Sequence, residues 1–96
     1  MYEILYHRST LKGLEYINER KNLLKLFKKI EPLIEENPYE PNICKINNKD
    51  KKICLYSNGD KLKSIRFDNE IEINYLIFEK EKEVWVYKIY KLEAFK

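Results

Sequence analysis

Residues Ile34–Ile46, "IEENPYEPNICKI", follow a long run of helical periodicity and break it twice. Asn37 precedes Pro38, whose ring disfavours the α region for the residue before it, so the helix ends there. Pro38 and Pro41 then keep the chain extended, because neither can donate a helical hydrogen bond. From Lys51 onward the apolar pattern changes to strand type. A helix stopped this firmly, just before such a change, delivers the chain to the edge of a sheet.

Upstream of the break, "YEILYH" (Tyr2 to His7) is rich in β-formers and reads as an N-terminal strand. Ser9 or Thr10 is expected to cap the helix that follows by offering its hydroxyl to unpaired backbone N–H groups. Leu11, Leu14 and Ile17 form one apolar stripe, and Leu23, Leu24, Phe27, Ile30, Leu33 and Ile34 form a second. The polar segment "NERKN" lies between them, so a helical hairpin and one bent helix are both compatible with the pattern. Pro32 fits a helix only with a local kink or near its start.

Downstream, "KKICLYS", "KLKSIRF", "IEINYLIFE" and "EVWVYKIYKL" are β-prone, joined through "SNGD", "DNE" and "KEKE". The expected fold is a two-layer α+β domain spanning residues 1–96. It has an N-terminal strand, a helical hairpin or bent helix packed through Leu14, Ile17, Leu24, Phe27 and Ile30, then a curved antiparallel sheet of three or four further strands.

Charged residues make up 36% of the chain and apolar ones 44%, an ordinary balance for a globular protein. No apolar run approaches the roughly 20 residues of a membrane span, and no signal-peptide pattern opens the chain, so a cytoplasmic location is expected. With Cys44, Cys54 and the single His7, the chain is too poor in ligands for a structural metal, and no cofactor is implied. Both cysteines read as reduced and mostly buried. His7 lacks a nucleophile at a telling spacing and reads as a surface or capping residue. A net charge of +3 permits a nucleic-acid partner without requiring one, so any such use rests on local clustering.

The element order, the "NPYEP" exit, "SIRF", "INYLIF" and "YKIYKLEAF" together resemble the RelE/ParE superfamily of toxins from toxin–antitoxin systems. The resemblance implies a RelE/ParE-like fold, an endoribonuclease acting on ribosome-bound mRNA through a basic groove, and a cognate antitoxin. By position it points to Arg66 and Lys91 for catalysis and places Asn74 in the site; the neighbouring basic and aromatic residues add Lys88 as a catalytic candidate and Lys61, Lys63 and Tyr90, with Asn74, as substrate-binding ones. Two positions depart from the family pattern. Asn74 stands where the family has an arginine and carries no charge to stabilise a phosphoryl transition state. Phe95 stands for a terminal tyrosine and cannot exchange a proton. The alternative is therefore a non-catalytic binding protein of a phage or mobile element, directed at a host nuclease or at gyrase.

The residues themselves allow two readings at each place. Alternation sets Ser64 and Arg66 on one strand face and Ile65 and Phe67 on the other, so Arg66 lines either a phosphate groove or a solvated face opposite Glu70 and Glu72. Tyr90 with Lys91 suits nucleic-acid contact, whereas Trp85 reads as core. Strict alternation would place Lys88 with Val84 and Val86, so either those valines are partly exposed or a bulge re-aims the chain. If RNA contact is real, Arg66, Lys88 and Lys91 should share one positive surface. The amphipathic "KNLLKLFKK" reads as a helix with one buried and one solvated face.

Overall fold

The structure, a computed structural model, describes residues 1–43, 46, 53–67 and 70–92. Strand β1 (Glu3–Tyr6) leads through a short 3-10 turn (Arg8–Thr10) into α1 (Leu11–Glu19) and α2 (Lys21–Glu36). Strands β2 (Ile53–Ser57), β3 (Leu62–Phe67), β4 (Ile71–Phe78) and β5 (Glu83–Lys91) follow. They form one five-stranded sheet in the order β1-β5-β4-β3-β2. Every pairing is antiparallel except that of β1 with β5, which runs parallel with Glu3 opposite Glu83. The α+β topology expected from the sequence is therefore present, N-terminal strand included. Cys44 and Phe95 lie outside the described residues.

The polar "NERKN" segment is where the helical region divides: Arg20 adopts an extended conformation, φ −115° and ψ 101°, between α1 and α2. Thr10 and Ser9 do not cap α1 as expected. Thr10 makes no side-chain capping bond, its hydroxyl donating instead to the His7 carbonyl at 2.6 Å, and Ser9 Oγ donates to Tyr87 O at 2.6 Å. His7 takes a capping role one turn earlier, its Nδ1 accepting the Ser9 N–H at 3.1 Å.

Ile17, Leu23, Leu26, Phe27, Ile30 and Ile34 are buried against Ile65, Phe67, Ile73, Tyr75, Val84, Val86 and Ile89, so both helices cover a single face of the sheet. Leu14 and Leu24 pack at the margin of this core. Gly13 allows the close approach of α1 to β5: a Cβ there would overlap the Ile89 side chain, well inside van der Waals contact. Pro32 is accommodated within α2 on its exposed side.

The exit stretch is anchored at two adjacent residues, Pro38 and Tyr39. Buried Tyr75 donates its hydroxyl to Pro38 O at 2.6 Å. Tyr39 and Tyr2 both donate to Glu79 Oε1, at 2.7 and 2.5 Å, and Lys82 pairs with the other oxygen. These donors hold the Glu79 carboxyl far below its ordinary range, at about 2, with the Lys82 contact the largest cause. "NPYEP" thus ends α2 and also ties it to the β4–β5 turn.

Candidate functional site on the open face of the sheet

The face away from the helices carries the candidate site. Register aligns Arg66, Glu72 and Tyr90 in one row across β3, β4 and β5, and Ser64, Asn74 and Lys88 in the next. The second row depends on an irregularity. Asn74 pairs with Lys88 but Tyr75 pairs with Val86, so Tyr87 is an extra residue in β5. This bulge keeps Val84 and Val86 buried while turning Lys88 to the open face, the second of the two outcomes the alternation allowed.

Glu72 organises the first row. Arg66 donates from Nε and Nη2 to Glu72 Oε1 at 3.1 and 2.9 Å, and the Tyr90 hydroxyl donates to Oε2. The Glu72 side chain is 8% exposed and that of Arg66 37%. The guanidinium therefore spends one edge on the carboxylate and keeps its other edge toward solvent, stacked beside the Tyr56 ring at 5.3 Å. Its pKa is raised, chiefly by the bond to Glu72, so its charge is permanent. The Tyr90 phenol is also held protonated, by its bond to Glu72 first and by burial second.

In the second row, Ser64 Oγ donates to Asn74 Oδ1 at 2.5 Å, which orients the Asn74 amide as a donor group. Lys88 is exposed, with Nζ 4.9 Å from the Tyr90 ring centre. Two cations, one carboxylate, an amide and a phenol thus share the face. The set suits binding of an anion such as a phosphodiester through Lys88, the outer edge of Arg66 and the Asn74 amide.

Of the seven residues singled out in the sequence, Arg66, Asn74, Lys88 and Tyr90 converge here. The other three do not. Lys91 pairs with Ile71 and extends over the Tyr16 ring at 5.3 Å on the helical side, beside the Arg20–Glu70 ion pair. The expected single surface of Arg66, Lys88 and Lys91 is therefore split between two faces. Lys63 is buried, its Nζ donating to Ser57 Oγ at 2.9 Å and Gly59 O at 3.4 Å, so it braces the β2–β3 hairpin. Lys61 is exposed at the turn of that hairpin, lining a cleft with Glu79, Lys80 and Glu81.

Trp85, expected in the core, instead lies on the open face, partly exposed, opposite Leu76. Glu72 stands opposite Arg66, as the solvated-face reading expected, but its role in organising the site was not assigned from the sequence. The signal for it was present: Arg66 and Glu72 stand one pair beyond Phe67 and Ile71, so closing the hairpin between those strands sets them opposite.

No family model matches the chain, and no curated protein matches it in sequence. Its fold is similar to one in the crystal structure of the archaeal RelE–RelB complex from Pyrococcus horikoshii OT3. The TM-score is 0.59 at 15% sequence identity, over 94% of this chain and 93% of that one. The fold is thus of the RelE/ParE type. Among the described residues no helix is long and apolar enough to cross a membrane.

Proposed function

We infer that the chain is a RelE/ParE-type toxin of the cytoplasm that engages ribosome-bound mRNA through the open sheet face and is neutralised by a cognate antitoxin. The observation carrying this reading is the convergence of Arg66, Asn74, Lys88 and Tyr90 on that face. Lys88 and the outer edge of Arg66 neutralise the phosphate, Asn74 supplies neutral donors, and Tyr90 holds Glu72 in place. With a neutral amide at position 74, the protein stabilises a phosphoryl transition state weakly by itself. The ribosome contributes orientation, an effect worth up to about 7–11 kcal/mol in model systems. A fold shared with a RelE that was crystallised with RelB supports an antitoxin partner.

A second reading, a non-catalytic inhibitor of a host protein, is favoured by the grip of Glu72 on Arg66, which cancels much of the field a catalytic cation would exert. Two assays separate the two: mRNA cleavage in a translating extract, and growth arrest on induction. Cleavage that is lost in Lys88→Ala supports the toxin. Folded protein inactive in both assays overturns it and leaves the binding protein.

A further inference from the structure

Immediately beside the Asn74–Lys88 row, the open face carries a shallow, open cavity of about 370 Å³ lined by His7, Leu76, Phe78, Trp85 and Tyr87. Four of these five side chains are carbon-rich, and three are aromatic. Phe78 and Tyr87 are among the exposed large apolar residues of the chain, at 39% and 37%. Sheets ordinarily hide such groups or cover them with a partner. The Trp85 indole N–H is already engaged by Glu83 Oε1 at 3.2 Å, so the ring offers a face to a ligand and not a donor.

Its position sets the ligand. Leu76 and Trp85 pair one side-chain row beyond Asn74 and Lys88, about 7 Å along the strands. The bulge that turns Lys88 outward is also what brings the extra residue, Tyr87, to the cavity rim. A cation that grips a phosphate and an aromatic slot one row away match the two ends of a nucleotide whose base is splayed from its strand. Resting on the RNA-binding reading above, we propose that this cavity receives an unpaired nucleobase of the RNA, stacked on Trp85 and Tyr87 while Lys88 holds an adjacent phosphate. The lining supplies few hydrogen-bonding groups, so the slot takes a base by its π-face and discriminates little between bases. An apolar side chain of a protein partner would fill the same space, but nothing in the lining pairs that occupant with the cationic row.

Trp85 is the chain's single tryptophan, so its emission reports on the cavity directly. The full-length chain is titrated with a single-stranded RNA heptamer and with an abasic heptamer of the same sugar-phosphate backbone. The expected result is a change in Trp85 emission with the RNA and none with the abasic chain, which binds roughly 5- to 150-fold more weakly. Tyr87→Ala, which removes an exposed side chain and keeps the reporter, loses most of that difference. Lys88→Ala weakens both ligands together. Equal binding of both heptamers with Trp85 emission unchanged overturns the base slot and leaves the phosphate reading standing. No binding of either at low salt overturns both.

Discussion

Arg66 and Glu72 meet across the β3–β4 hairpin with both guanidinium donors on one carboxylate oxygen, at 2.9 and 3.1 Å. The charge that most resembles a catalytic arginine is thus partly spent inside the protein. Glu72→Gln keeps the shape and returns that charge to the face. Binding to single-stranded RNA should tighten, and the slope of log affinity against log salt should steepen by about 0.7, the value of one more phosphate neutralised. Salt titrations of both proteins check this; an unchanged slope would show that Arg66 does not face the ligand.

Lys88, Lys63 and Lys91 are chemically alike but differently placed, and variants should separate them. Lys88→Gln is expected to weaken RNA binding about tenfold or more, as loss of a charge-assisted contact does. Lys91→Gln should leave binding on the open face nearly unchanged, since its ammonium lies over Tyr16 on the helical side. Lys63→Gln should lower the urea midpoint without a specific binding loss, because Ser57 and Gly59 exchange a charged ammonium donor for a shorter, neutral amide. Binding isotherms and urea melts of the three variants decide this together.

Gly13 faces Ile89 with no room for a Cβ. Although alanine favours helix, Gly13→Ala should destabilise the protein by about 1–3 kcal/mol, the range for overpacking a close contact. Lys12→Ala, on the exposed side of the same helix, should stay within about 0.5 kcal/mol. Chemical denaturation compares them; a neutral or stabilising Gly13→Ala would mean that α1 sits farther from β5.

Glu79 is held at about 2 against an ordinary 4.5. A depressed carboxyl stabilises the fold above its unfolded value, and that stabilisation disappears as pH falls from about 4.5 to about 2. Glu79→Gln should therefore be less stable than the parent at pH 7, with the gap closing across this window. Urea midpoints measured between pH 7 and 2 test the sign. A gap that is constant with pH would mean that Lys82, Tyr2 and Tyr39 do not bind the carboxylate preferentially.

The sequence was most legible where local chemistry acts alone. Pro38 and Pro41 end α2, "SNGD" turns the β2–β3 hairpin, and the apolar rows of α2 face the core. Parity along a strand held a signal that the site assignment of Lys63 overrode: with Ile65 and Phe67 inward, Lys63 shares their face and not that of Arg66. What was hidden depends on distant segments. The parallel pairing of β1 with β5 has no local signature. Trp85 looked like core because aromatics at period two suit either face of a sheet, and the bulge at Tyr87 decides which face it takes. Lys91 lies beyond that same bulge on the helical side, where alternation from buried Ile89 sets it.

The parallel partnership of Glu3 with Glu83 has a temporal consequence. Of the five described strands, the one made first during synthesis pairs with the one made last, and β5 itself borders β4. At roughly 5–20 residues per second, β1 waits several seconds for its neighbour to be polymerised. Until then β4 presents a bare edge, Trp85 does not yet exist and Lys88 has not joined the Asn74 row. The site is therefore absent from every nascent chain that has not reached β5, and it comes into being in the same event that closes the sheet.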